Sequence, residues 1–198
     1  MSLGLYLHIP YCFSKCRYCD FYSAPGQRSV PRAYVDALLR ELSRFAPDAP
    51  LRPDTLYFGG GTPSLLDPAD AARLIAAAQP LPGAEITLEA NPETVTEDSL
   101  RAFREAGVNR ISFGVQSARD SQLKTLGRPH TAKQARAAFA AARRAGFENI
   151  SGSLIRETVA TGIDTCFLIS SLACLCGAGA VPLAGIELPF LMVFPPET

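Results

Sequence analysis

Three cysteines within eight residues, Cys12, Cys16 and Cys19, constrain this chain more than anything else in it. Their C-x3-C-x2-C spacing follows directly on an apolar run, Leu3 to Ile9, that reads as a strand. A strand delivers the chain to one end of a sheet, and the loop after it can fold back so that three thiolates converge. Such a set suits an iron–sulfur cluster, whose usual protein ligand is thiolate, about one cysteine per iron. With three thiolates on a 4Fe–4S cluster, one iron is left open to a small molecule. Two other uses of the cysteines stand beside this one. A structural zinc ion wants four ligands, commonly from separated C-x2-C pairs, so the fourth here would be His8 or a distant cysteine. Disulfides belong to oxidising compartments. The N-terminus shows no secretory signal pattern, which points to a reducing cytoplasm.

Beyond the cysteine loop the sequence alternates helices and strands. Pro31 to Ala46 predicts a helix with Pro31 in its first turn and Tyr34, Ala37, Leu38, Leu42 and Phe45 near one face. Asp54 to Phe58 predicts a strand that runs into Gly59-Gly60-Gly61-Thr62-Pro63-Ser64. Asp67 to Gln79 predicts a helix with Asp67 as N-cap and Pro68 at its first position. Glu85 to Ala90 is a third strand. Thr96 to Ala106 is a helix capped by Thr96 and closed by Gly107. Asn109 to Val115 is a fourth strand, Thr131 to Ala145 a helix between its Thr131 cap and Gly146, and Glu148 to Ile150 opens a fifth strand.

Crossovers of roughly 25 to 35 residues argue for parallel βαβ units. Right-handed crossovers gather the strand C-termini on one side. The expected fold class is α/β, a partial parallel (β/α) barrel with about its first half present. The cysteine loop, the glycine loop, Glu89-Ala90-Asn91-Pro92 and Gln116-Ser117 each follow a strand. Barrel sites sit on that face, so four separated motifs meet there. With 19 basic and 19 acidic residues the chain carries no basic field for nucleic acid.

Each motif has two readings. The glycine run frees backbone N–H groups to approach a ligand without Cβ interference, or it is a tight turn before the Asp67 helix. It is no P-loop, because no Gly-Lys-Ser/Thr follows. Glu89 is an acceptor for ligand hydroxyls or amines, or a solvated strand end. His8 shapes the turn from strand to cysteine loop, and His130 reads as a helix-entry residue. Tyr6 is a ligand contact or core.

The run from Tyr6 to Ser23, with aromatic Tyr18 just before the third cysteine, resembles the radical S-adenosylmethionine (radical SAM) superfamily, and within it the HemW/HemN group. The resemblance implies a 4Fe–4S cluster on Cys12, Cys16 and Cys19, with S-adenosylmethionine on the open iron. It implies Gly60, Gly61 and Thr62 at the methionyl end and Glu89, in E-A-N-P, as a further cofactor ligand. Gln116, in G-V-Q-S, and Arg128, in L-G-R-P-H, match nucleotide contacts, and Tyr6 matches another cofactor contact. The chemistry implied is one-electron cleavage of the sulfonium to methionine and a 5′-deoxyadenosyl radical. HemN proteins are oxygen-independent coproporphyrinogen III oxidases and HemW proteins are haem chaperones. HemN carries a further cysteine two residues after the third. Phe21 stands there in this chain, which puts it nearer HemW. Haem or a porphyrin and a reductant protein are the implied partners.

The resemblance runs from Leu5 to about Ser151, which gives a radical SAM core over residues 1–151 and an atypical hydrophobic tail over 152–198. Ser153 stands where the group has an aspartate that contacts cofactor. The later G-L-P-x-Q and haem-associated H-N-x-x-Y-W motifs have no counterpart. Thr165 to Ile186 is an uncharged run of about 22 residues, long enough to span a bilayer. It contains Cys166, Cys174, Cys176 and Pro182. The tail reads as a frameshifted or misassembled end, as a buried apolar segment, or as a membrane anchor; Pro182 and the lack of basic flanks count against the last. A half barrel leaves strand edges and an apolar face uncovered, so an inactive, truncated metal-binding fragment is the alternative to a working protein.

Overall fold

β1 (Gly4–Ile9) buries Leu5, Leu7 and Ile9 and leaves Tyr6 and His8 half-buried. That is the period of two expected when only one face of a strand meets a packed core. β2 (Thr55–Gly60) does the same with Leu56 and Phe58, and β4 (Arg110–Gln116) with Ile111 and Phe113. β3 (Glu85–Ala90), in the middle, buries Ile86, Thr87, Leu88 and Ala90. β5 (Asn149–Leu154) completes a parallel series, and the sheet order is β5-β4-β3-β2-β1-β6. The sixth strand, β6 (Leu191–Phe194), runs antiparallel along the free side of β1, with Gly4 opposite Phe194. The structure is a computed structural model that describes residues 3–45, 50–155 and 191–194.

Five parallel strands joined by helical crossovers make the α/β sheet expected from the sequence. The helices are α1 (Arg32–Phe45), α2 (Pro68–Ala78), α3 (Glu97–Glu105), α4 (Asp120–Thr125) and α5 (Ala132–Arg144). Their apolar stripes and the buried faces of the strands form one cluster, including Leu7, Phe58, Leu88 and Phe113 from the sheet and Leu38, Leu74 and Phe103 from the helices. The opposite sheet face carries Tyr6, His8, Tyr57, Glu89, Arg110 and Ser112. An apolar face under helices and a polar face turned away from them is how a barrel wall is built, not a doubly wound sheet.

The helix ends behave as their sequences dictate. The Asp67 carboxylate accepts from Ala69 N at 2.8 Å and caps α2. Thr96 and Thr131 form capping boxes with Ser99 and Gln134. On α1 the packed face holds Tyr34, Val35, Leu38 and Leu42, while Phe45, at the last turn, is 53% exposed. α4 is not legible beforehand: six residues with Leu123 alone buried give no helical period. Ile155 and the strand before it lie on the outer side of the sheet, where β5 is the last strand among the described residues. The uncharged run Thr165 to Ile186 falls outside the described residues, within which no helix is long and apolar enough to cross a membrane.

Leu88 is fully buried in the middle strand. Truncating such a side chain removes its transfer energy and leaves a cavity, so Leu88→Ala should destabilise the fold by about 2–5 kcal/mol in urea denaturation.

Candidate functional site

The four strand-end loops meet at the C-terminal edge of the sheet, and a backbone contact draws the first two together. Gly61 N–H donates to Ile9 O at 2.8 Å, one step past the last β1–β2 pair, Ile9 with Gly60. A Cβ on Gly61 would lie 2.7 Å from Tyr11 O and 2.9 Å from Cys12 Sγ. The glycine is therefore needed for the close approach of this loop to the first cysteine. Gly60 has φ +115 and a Cβ there would lie 2.5 Å from His8 Cε1, so conformation and space both exclude a side chain.

The cysteine loop is folded back on itself. Cys12 N donates to Ala24 O at 3.0 Å and Gln27 N to Cys12 O at 2.9 Å. His8 Nε2 shares a hydrogen bond with Tyr22 O at 3.1 Å, and the Lys15 ammonium donates to Phe21 O at 2.7 Å. His8 thus ties the strand to the far end of the loop, the turn-shaping role its position suggests. Cys12 is buried, Cys16 and Cys19 are half-buried, and all three are free thiols. Burial pushes the Cys19 thiol up, and the charges of Cys16 and Cys12 add to this. Among the described residues no three His, Cys, Asp or Glu side chains are grouped around one point. An iron–sulfur cluster binds one thiolate at each iron, so its ligands stand around a body and not around a point.

The third and fourth loops supply polar groups. The Thr62 hydroxyl, buried, accepts from Asn91 Nδ2 at 3.1 Å, which sews the glycine loop to the loop after β3. The Glu89 carboxylate accepts from Tyr57 Oη at 2.8 Å and from Gly60 N at 3.2 Å. Burial raises the Glu89 carboxyl above its ordinary range, and these two hydrogen bonds and the Arg110 charge only partly oppose it. Tyr6 stacks on Tyr57, with ring centroids 5.9 Å apart and planes at 15°, and shares a hydrogen bond with His8 Nδ1 at 3.2 Å. Burial, followed by the charge of Glu89, raises the hydroxyls of both tyrosines well above their usual range.

Arg128 reaches the site from the turn before α5. Nη1 donates to Cys16 Sγ at 3.1 Å; Nη2 donates to Asn91 Oδ1 at 2.6 Å and to Gly114 O at 2.7 Å. Nε is buried with no partner among the described residues. A Cβ on Gly114 would lie within 3.3 Å of Asn91 Oδ1, Arg128 Nη2 and Gln116 Nε2, so these three side chains converge above that glycine. Of the ten residues singled out in the sequence, Cys12, Cys16, Cys19, Gly60, Gly61, Thr62, Glu89, Gln116 and Arg128 sit at this edge, and Tyr6 lies mid-strand in β1, below it on the same polar face. Sequence reasoning missed Asn91, which joins Thr62 to Arg128, and Tyr57, which holds Glu89. Asn91 lies in the strand-end loop already singled out, while Tyr57 has the half-buried position that alternation along β2 gives it.

Comparison with known proteins agrees with this geometry. The model of the radical SAM superfamily matches residues 6–162. The chain is 44% identical over 159 residues to the heme chaperone HemW of Escherichia coli, covering 77% of this chain and 42% of that one. It is 37% identical to HemW of Bacillus subtilis, over 76% of this chain and 41% of the relative. The solved structure of coproporphyrinogen III oxidase (HemN) from Escherichia coli, titled a radical SAM enzyme, superposes with a TM-score of 0.68 at 31% identity, over 75% of this chain and 36% of that one. The chain belongs to the radical SAM superfamily and spans about two-fifths of the length of these relatives.

The family implies a 4Fe–4S cluster and S-adenosylmethionine, and the residues present fit both. Three free thiols share one loop, glycines clear the space beside Cys12, and a buried guanidinium nitrogen lacks an acceptor. Two expected outcomes follow. In Gly61→Ala the new methyl meets backbone at Tyr11, so anaerobic reconstitution should yield protein that has lost most of its iron, measured per chain. Gly83→Ala, with φ +83 and open space around it, should keep its iron and lose only about 1 kcal/mol of stability. For Glu89, a folded-state value above the ordinary one of about 4.3 makes the ionised form a cost to the fold. Stability is full below that ordinary value and falls as pH rises through the raised one. Without cofactor, the denaturation midpoint of Glu89→Gln should gain on that of the wild type as pH rises above about 4.

Proposed function

We propose that this chain carries the cofactor-holding part of a HemW-type radical SAM protein, which binds a cluster and S-adenosylmethionine and serves haem delivery. The observation that carries the choice is Phe21. It occupies the position two residues after Cys19 where HemN proteins have a further cysteine, and it is 54% exposed on the cluster loop. The identity to HemW relatives supports the same reading. In it, Cys12, Cys16 and Cys19 each hold one iron. Gly60, Gly61 and Thr62 line the methionyl end, Glu89 accepts from hydroxyl or amino groups, and Gln116, Arg128 and Tyr6 complete the cofactor contacts. When bound, the cluster and S-adenosylmethionine together supply one-electron chemistry at the sulfonium. The chain's own part is to orient and to tune. Arg128 donates a charged hydrogen bond to the Cys16 sulfur, and hydrogen bonds to cluster sulfurs are among the determinants of cluster potential. Haem is the cargo, an external protein the reductant, and the reducing cytoplasm the compartment in which three free thiols persist.

The fold-level match to coproporphyrinogen III oxidase keeps a second reading, oxidation of a porphyrinogen propionate on the same half-barrel. One preparation separates the two. After anaerobic reconstitution, EPR of the reduced protein should show a 4Fe–4S signal that shifts when S-adenosylmethionine is added. Haem should bind, and coproporphyrinogen III should not turn over. Turnover would establish the oxidase reading, and no cluster at all would leave a truncated fragment.

A further inference from the structure

His130 enters the sequence as a residue at the start of a helix, yet its side chain is completely buried and bridges two other elements. Nδ1 lies 3.1 Å from Glu93 Oε2, and Nε2 lies 3.0 Å from Val115 O. A carbonyl oxygen only accepts. The Val115 contact therefore takes its proton from Nε2. Glu93 is held ionised. Burial would raise its carboxyl, but the His130 hydrogen bond and the positive charge of Arg128 outweigh this and bring it below its ordinary range. Glu93, the charged partner of the ring, lies in the turn after β3 and feels the charge of Arg128, two residues before His130.

The carbonyl that His130 grips has a special place in the backbone. Val115 O also accepts from Ser117 N at 2.9 Å, and Gln116 between them has φ +67. An i to i+2 hydrogen bond around a residue of positive φ is a γ-turn of the rare, strained hand. The register between β4 and β5 slips at the same place, between Gly114 and Gln116. This turn sets the direction of Gln116, whose amide converges with Arg128 and Asn91 over Gly114. A strained conformation of this kind persists only when its surroundings over-determine it.

We infer that His130 is a positioning residue: its buried ring spans Glu93 and the Val115 carbonyl and fastens the strained turn that aims Gln116 into the cofactor site. The ring acts on the backbone and touches no cofactor. The link from the turn to S-adenosylmethionine affinity rests on the cofactor reading proposed above; the fastening of the turn does not.

The test uses the full, anaerobically reconstituted chain with His130→Gln and Glu93→Gln. Glu93→Gln keeps a hydrogen-bonding partner for Nδ1 and should leave Ser117 exchange near the wild-type rate. In His130→Gln the Ser117 amide should exchange with solvent faster than in the wild type. Iron content should be unchanged, and S-adenosylmethionine, followed by the EPR shift, should bind at least about tenfold more weakly. A His130→Gln protein that keeps both Ser117 protection and cofactor affinity overturns the inference. Ser117 protection that is lost in His130→Gln, in a chain whose wild type gives no response to S-adenosylmethionine, upholds the fastened turn and instead sinks the cofactor reading. A melting temperature that falls with no change in Ser117 exchange or affinity marks His130 as ordinary packing and sinks the inference.

Discussion

The site depends on how closely two strand-end loops can approach each other. β1 and β2 are paired in parallel up to Ile9 and Gly60, and the Gly61 N–H extends the ladder by one more hydrogen bond to Ile9 O. That bond holds the glycine loop in the path of the chain leaving β1, where Cys12 lies. Parallel strands with helical crossovers turn every C-terminal end the same way. The separation in sequence between Cys12 and Gly61, or Glu89 and Gln116, is therefore no obstacle to their meeting. Tyr34 adds a brace by donating from its hydroxyl to His8 O at 2.8 Å, which fixes the end of β1 against α1. The geometry of the cysteine loop is in this sense a consequence of sheet register and helix packing more than of the loop's own sequence.

Two carboxylates four residues apart show how the same edge divides between holding itself together and waiting for a ligand. Glu93 has the His130 ring and the Arg128 charge near it and is stabilised in its ionised form. Glu89 accepts only from a phenol and a backbone amide, and burial holds its carboxyl above the ordinary range. A buried group kept in a form that costs the fold is a mark of function more often than of structure. A chain of contacts from Cys16 to Arg128, and from Glu93 to His130, runs from the cysteine loop to the start of α5. Within it Arg128 and Glu93 are opposite charges, which offsets part of the desolvation that burial imposes.

Most of the framework was legible in the sequence because it is written in local signals. Alternation marks β1, β2 and β4. Asp67, Thr96 and Thr131 sit where the helices start, and the glycine run stands where backbone must approach backbone. What was not legible depends on register and long-range packing. Nothing near Asn91 says that it will join Thr62 to Arg128, since its partners lie 29 and 37 residues away. His130 looks like a helix-entry residue until the turn after β3 brings Glu93 beneath it. Three of the five N–H donors of Arg128 go to Cys16, Asn91 and Gly114 O, partners that no local signal around Arg128 announces. Phe45 was placed on the buried face of α1 by period alone, but the last turn overhangs the core.

β5 shows what a change in a single side chain does to such a rim. Each strand of a parallel barrel contributes its C-terminal loop to the same face, so ligand contacts accumulate strand by strand. At β5 the residue is Ser153, where the resembling group has an aspartate. Its hydroxyl turns back to Phe113 O at 3.4 Å, on the neighbouring strand. A serine can donate one hydrogen bond and carries no charge, whereas an aspartate would bring a second carboxylate to the rim near Gln116. With Ser153 occupied by the backbone of β4, Glu89 is left as the carboxylate on the polar sheet face nearest the glycine loop. Among the described residues β5 therefore brings no charged side chain to the rim, and the thiols and glycines beside it are set by other strands.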